Sequence, residues 1–303
     1  MSTVYKSVDG YPLKASCDEH LFQFRLTAWQ HEPHSIEIMK GKQLMPRVVG
    51  LNEKELETLD ILSMRGNKIM SDILYEGKSK IIYRGPNNES LIIRYKDTAT
   101  AFNGEKKAEL SGKGKLNAAI SSLIYGYLAE HGVETHLIEV IDDATALVKK
   151  AEIVMIEVIV RNVAAGSFSK KYGVPEGTAL KNTVIEFSLK SDELGDPMIN
   201  ESQITAIGLA TEEELKEMTR QAFRINELLC ALFAKTGIRL IDFKLEFGRY
   251  DGKLILCDEI SPDSCRLWDI DTDKKLDKDR FRRDLGDVLD SYQDVLRRLQ
   301  NVR

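Results

Sequence analysis

The stretch Leu240-Ile241-Asp242-Phe243-Lys244-Leu245-Glu246-Phe247-Gly248 alternates strictly between apolar and charged residues. With the two-residue period of a β-strand, Ile241, Phe243, Leu245 and Phe247 face one way, and Asp242, Lys244 and Glu246 the other. An ordinary half-buried strand carries Thr, Ser, Gln or mixed charge on its wet side, with no matching acid nearby. Here a second apolar run, Leu254-Ile255-Leu256-Cys257, follows at once and ends in Asp258-Glu259. A carboxylate, an ammonium and a second carboxylate facing an acidic strand end suit a divalent cation and a polyphosphate.

Register decides whether those acids meet. Tyr250-Asp251-Gly252-Lys253 is the hairpin turn. A two-residue Asp251-Gly252 loop would set Glu246 opposite Cys257 and send Asp258 to the other face. A three-residue loop over 250–252, with Gly252 in a left-handed G1 bulge, sets Lys244 opposite Asp258. Only that choice gathers Lys244, Glu246 and Asp258 on one side, so it is the expectation.

The surrounding composition excludes several classes of function. The 303 residues fit one large domain or two packed ones. Balanced charge, 43 Lys+Arg against 48 Asp+Glu, and the lack of a polybasic run argue against nucleic acid or a membrane surface as partner. No apolar run approaches membrane-spanning length, and the first residues lack the apolar core of a signal peptide. The four scattered cysteines form no disulfide framework. A reduced, cytoplasmic protein is expected.

Residues 1 to about 70 read apart from the rest. Cys17-x-x-His20 and His31-x-x-His34 have zinc-compatible spacings but lack a finger pattern, so surface histidines are expected. Residues 51–63 read as a short helix with Asn52 as N-cap and Glu55 completing the box. From Ile73 the pattern becomes regular, with strands at 73–76, 79–83 and 91–95 and a turn at 85–88. An amphipathic helix follows Gly112, its stripe made by Leu116, Ile120, Leu123, Ile124 and Tyr127. Strands near 136–141, 145–150 and 153–161 lead to a mostly polar stretch ending near 205. Thr211 and Glu214 open the clearest helix, with Leu215, Met218, Ala222, Ile225, Leu229 and Leu232 as its buried stripe and Gly237 as its stop. Residues 269–283 read as a solvated helix start, and 281–299 as a final amphipathic helix using Leu285, Val288, Leu289, Tyr292 and Leu296. Strands first and helices later indicate α+β with two lobes.

Three further segments carry chemistry-capable groups. Gly77-Lys78-Ser79-Lys80 offers backbone amides and ammonium groups to phosphate, although for four isolated residues a plain turn is the better explanation. Arg161 closes an apolar strand before Ala164-Ala165-Gly166-Ser167, and its planar fork suits phosphate or carboxylate. A strand-end salt bridge would also account for it. Asp263-Ser264-Cys265-Arg266-Leu267-Trp268-Asp269 follows Ser261-Pro262 just beyond the acidic strand end, a position for a substrate loop. Asp196-Pro197 with Asn200-Glu201 reads as a solvated connector.

Together these segments resemble the SAICAR synthetase family. Leu240 to Gly248 looks like one family signature, and Ile156-Glu157-Val158-Ile159-Val160-Arg161 through Gly166-Ser167 like the other. The Gly77–Lys80 tetrapeptide, the Asp196–Ser202 segment and the Asp258–Asp269 segment occur in matching order. Met155 stands where the first signature usually has proline, a detail not expected to abolish activity. No counterpart of residues 1–70 belongs to the resemblance.

The resemblance implies an α+β, two-lobed SAICAR synthetase-like fold with an antiparallel β-rich N-terminal lobe and an ATP cleft between the lobes. Residues 1–70 would be an extension of unknown role, 71–151 the ATP-binding lobe, and 152–303 the substrate- and metal-binding lobe. It implies an ATP- and Mg²⁺-dependent ligase joining carboxyaminoimidazole ribonucleotide (CAIR) to L-aspartate through an acyl phosphate, with a homodimer as candidate assembly. Lys244 and Asp242 would be catalytic, and Glu246 and Asp258 would hold Mg²⁺. Lys78, Ser79, Lys80 and Lys244 would face ATP phosphates, with Lys149, Ile153 and Glu157 at adenine and ribose. Arg161, Ser167, Asp263 and Arg266 would bind the nucleotide substrate. Two other classes compete: a small-molecule kinase of related architecture, which would need no aspartate, and a non-catalytic nucleotide-binding regulator, against which the intact Lys244, Glu246 and Asp258 count.

Overall fold

The computed structural model describes residues 73–302 and, before them, only six short strands: β1 (Val4–Lys6), β2 (Pro12–Lys14), β3 (Phe22–Thr27), β4 (Ser35–Lys40), β5 (Gln43–Leu44) and β6 (Val48–Val49). β1 pairs with β2, and β4 with β3, β5 and β6, all antiparallel. The chain divides into two compact units, Met1–Asp72 and Ile73–Arg303. The helix expected at 51–63 and the Cys17, His20, His31 and His34 side chains lie outside the described residues.

The second unit begins with β7 (Ile73–Glu76), β8 (Lys80–Arg84) and β9 (Ser90–Tyr95), then a hairpin of β10 (Thr98–Ala101) and β11 (Lys106–Glu109). Helix α1 (Lys113–Glu130) leads to β12 (Leu137–Asp142) and β13 (Thr145–Lys149), closing an antiparallel sheet of order β12-β13-β9-β8-β7. The apolar stripe expected on α1 is present, but the helix is buried almost all round. Lys113, Asn117, Ser121 and Tyr125 are covered as fully as Ile120 and Ile124.

The next segment contains β14 (Glu152–Val163), α2 (Gly166–Tyr172), β15 (Ala179–Leu189), β16 (Met198–Ile199), α3 (Glu201–Ala206) and α4 (Glu212–Lys235). It is followed by β17 (Ile238–Tyr250), β18 (Lys253–Cys257) and β19 (Cys265–Asp269). The second sheet runs β16-β15-β14-β17-β18, with β19 also on β17. Its dry face is Ile156, Val158 and Val160 of β14 with Phe243, Leu245 and Phe247 of β17. These pack in one core with Met218, Ala222, Ile225, Leu229 and Leu232 of α4. The Thr211/Glu214 capping box forms as expected, and Gly237 follows the helix end with φ 68°.

Four expectations are corrected. The polar stretch before 205 contains the eleven-residue strand β15, most of whose residues are only partly buried, so its alternation is faint. Asn200 is not in a solvated connector but caps α3 through a box with Gln203. The final helix is two: α5 (Asp279–Arg282) and α6 (Val288–Gln300), parted by Gly286 and Asp287 with φ of 69° and 48°. Leu285 points outward between them. Of 269–283 only 270–274 and Arg283 are exposed, and Asp277, Asp279 and Arg280 are buried, so the segment is not the solvated helix start expected. Two antiparallel sheets with helical cover make this unit the α+β, two-lobed architecture that was expected.

Candidate active site

The hairpin register differs from the expected one, and the reason is local. Tyr250 pairs with Lys253 and Glu246 with Cys257, so the loop has two residues. Asp251 and Gly252 have φ of 49° and 71°. Left-handed backbone at both positions is the type I′ turn that matches the twist of a hairpin. A regular continuation would then turn Asp258 to the core face. Instead β18 ends at Cys257 and Asp258 takes φ 63°, which breaks the alternation. Its carboxylate meets the wet face after all, 3.3 Å from Lys244 Nζ.

That face is assembled by cross-strand pairing. Glu157 is opposite Glu246, Ile159 opposite Lys244, and Arg161 opposite Asp242. Lys244 Nζ lies 3.0 Å from Glu157 Oε1 and also donates to Glu246. Lys190, just past the end of β15, donates to Glu246 at 3.0 Å. Lys80, the first residue of β8, pairs with Asp258 and lies 2.9 Å from Glu259. Burial works against the charge on Lys80 and Lys244. The surrounding carboxylates outweigh it and hold both ammonium pKa values above the ordinary lysine value. Burial likewise opposes ionised Asp258, yet Lys80, Lys244 and Lys190 keep its pKa well below the usual carboxylate range. Glu157 goes the other way, raised by burial that Lys244 only partly offsets.

One strand step away stands a second cluster. Asp242 accepts from Arg161 Nη1 at 2.8 Å and from Arg266 Nη1 at 2.9 Å. Arg161 also donates to Glu186 and, at 3.2 Å, to Ser167 Oγ. Arg266 donates to Asp279 at 2.9 Å. Gly166 is required here. Its φ is 55°, and a Cβ would collide with the Arg266 guanidinium. Asp263 is committed to neighbours: Tyr292 Oη donates to it at 2.6 Å, and Lys113 Nζ is 2.8 Å away.

A cleft of about 360 Å³ joins the clusters. Lys78, Glu157, Arg161, Ser167, Asp242, Lys244, Asp263 and Arg266 line it, with Thr100 to Phe102 from the first lobe opposite. Lys80, Glu246 and Asp258 sit behind it and reach it through Lys244. Ser79, Lys149 and Ile153 do not line it; Lys149 Nζ rests 5.4 Å over the Tyr250 ring, and Ile153 pairs with Gly248. Sequence reasoning missed Lys190, because β15 was not read as a strand. Glu259 follows Asp258 in the sequence with nothing to mark its pairing with Lys80. Lys278 and Arg282, which also line the cleft, belong to the segment taken as solvated.

The donor set fits Mg²⁺. Glu246 and Asp258 both reach the Lys244 ammonium, so two hard oxygen ligands converge on one cationic point. Among the described residues no three His, Cys, Asp or Glu side chains are grouped to hold a metal unaided. One or two carboxylates completed by substrate phosphates is the usual provision for Mg²⁺.

Fold and site together define an α+β enzyme whose cleft gathers two charged clusters on one sheet face. Comparison with known proteins places it further. The family model for SAICAR synthetase matches residues 73–299, and the chain belongs to that family. It is 54% identical over 230 residues to the phosphoribosylaminoimidazole-succinocarboxamide synthase of Clostridium perfringens, covering 76% of this chain and 98% of that one. The crystal structure of the Ehrlichia chaffeensis synthase matches with a TM-score of 0.74 at 45% identity, over 76% of this chain and 98% of that one. A SAICAR synthetase solved in complex with ADP matches with the same score at 44% identity and the same coverage.

Proposed function

We propose that this protein is an ATP-dependent carbon–nitrogen ligase of de novo purine biosynthesis, joining the CAIR carboxylate to the amine of L-aspartate to give SAICAR, ADP and phosphate. One observation carries this reading. The Arg161–Asp242–Arg266 cluster and the Lys244–Glu246–Asp258 cluster share one face of β17, about 7 Å apart along the strand. An anionic nucleotide held by the first has its carboxylate within reach of a phosphoryl group held by the second.

A carboxylate is a poor electrophile. Transfer of the γ-phosphoryl group to one of its oxygens releases ADP and forms an acyl phosphate. The aspartate amine then attacks the carbonyl carbon and loses a proton, and phosphate leaves. Mg²⁺, held by Glu246 and Asp258, would supply charge neutralisation to the phosphates. Lys78, Lys80 and Lys244 face the phosphates in this assignment, with Ser79 in the same loop, and Lys149, Ile153 and Glu157 hold adenine and ribose. Arg161, Ser167 and Arg266 bind the CAIR phosphate or carboxylate. Asp242, pinned between two guanidinium groups, orients them, and Asp263 braces the loop beside them. Residues 71–151 act as the nucleotide lobe and 152–303 as the substrate lobe.

ADP release with CAIR, measured with and without aspartate, tests the proposal. The expected result is sustained turnover and SAICAR only when both are present. ADP and a stable phosphorylated product formed without aspartate would indicate a kinase and overturn it.

A further inference from the structure

Asp258 reaches the site only because its backbone is left-handed, a conformation that crowds the Cβ of any residue other than glycine. The groups that hold it there come from α1. Tyr125 Oη donates to the carbonyl of Cys257 at 2.6 Å, and the amide of Ile260 donates to Ser121 Oγ at 3.3 Å. One anchor precedes Asp258 by a residue, and the other follows it by two. Tyr125 and Ser121 are four residues apart and so share a helix face. Four residues further on is Asn117, and then Lys113, whose ammonium pairs with Asp263 at 2.8 Å. All four are buried, where a polar group is costly unless partnered. Three of them find partners on residues 257–263. The His136 ring meets Tyr125 edge-on, centroids 5.7 Å apart.

We propose that Tyr125 and Ser121 are positioning residues that fix the left-handed turn at Asp258, and with it the carboxylate beside Lys80 and Lys244. This rests on the reading of Asp258 as a Mg²⁺ ligand.

The test is calorimetric affinity for ADP on the full-length protein, with Mg²⁺ and with EDTA. Tyr125→Phe should weaken ADP binding roughly fivefold in Mg²⁺, the scale of one buried hydrogen bond, and leave it unchanged in EDTA. Ser121→Ala should act in the same direction, and Ser121→Thr, which keeps the hydroxyl, should restore the wild-type value. Asp258→Ala should abolish the Mg²⁺ enhancement, and adding Tyr125→Phe to it should change nothing more. Equal weakening with and without Mg²⁺ in Tyr125→Phe and Ser121→Ala, or no weakening in either, overturns the positioning role. A wild-type Mg²⁺ enhancement in Asp258→Ala overturns instead the reading on which it rests. If Tyr125→Phe fails to fold, the Ser121 pair decides.

Discussion

Two aspartates, the half-buried Asp258 and the buried Asp277, meet opposite environments within twenty residues of chain. Asp258 is ringed by ammonium groups. Asp277 lies under β19, accepting from the amides of Leu267 at 2.8 Å and Asp279 at 2.7 Å. Burial, reinforced by the neighbouring charge of Asp279, pushes it from 3.8 up to about 7. The folded protein therefore holds a proton that the unfolded chain releases. The stability this contributes is fully present below the ordinary carboxyl value and is lost as pH rises toward about 7. Asp277→Asn, a fixed neutral mimic, should gain thermal stability relative to wild type as pH is raised from about 4 to about 8. Parallel pH profiles of Tm would show that Asp277 is ionised throughout. His136, held near pKa 4 by burial, contributes a slope of the other sign but cancels in this comparison. Neither environment was legible beforehand. Alternation marks Asp242, Lys244 and Glu246 as wet-face residues, but the partners Arg266 of Asp242 and Lys190 of Glu246, like Lys80 beside Asp258, arrive from distant elements.

At the scale of elements, turn chemistry sets the hairpin register, not the convergence of carboxylates. Asp-Gly between two alternating runs is the strongest signal for a two-residue type I′ hairpin. Strand alternation alone brings Asp258 to the wet face only with a three-residue loop. A single left-handed residue after the strand end supplies another way, and periodicity carries no trace of it. Gly252 has φ 71° with open space where a Cβ would go, so Gly252→Ala should meet backbone strain without collision. A loss of about 1 kcal/mol in urea unfolding is expected. A neutral result would mean that the turn relaxes to another type. The α1 face went unread for a related reason. Lys113, Asn117, Ser121 and Tyr125 recur every fourth residue, a pattern usually found facing solvent, and only the loop packed over them makes it buried. Helix α4 shows the opposite case, where caps and stripe agreed and its start, stripe and stop were all legible.

Over the whole molecule, the family match, the relatives' length and the compact unit beginning at Ile73 coincide. A chain lacking residues 1–72 should keep kcat/KM within about twofold, since a unit with its own core folds alone. Collapse of turnover in that chain, with an unchanged far-UV spectrum, would give the first unit a part in the chemistry. The lobes were legible because each is built from runs whose apolar residues keep one period. The split of the last helix and the burial of Asp277 to Arg280 were not, since both depend on what packs above them. Strand β17 has a practical consequence for redesign. It supplies the core with one face and the chemistry with the other, so it has no slack with which to absorb a new substrate. Libraries aimed at altered specificity belong outside β17, in segments such as the 173–178 connection between α2 and β15, which leave Gly166, Asp258 and Asp263 untouched. Diversifying β17 itself would draw on the same residues that keep the protein folded.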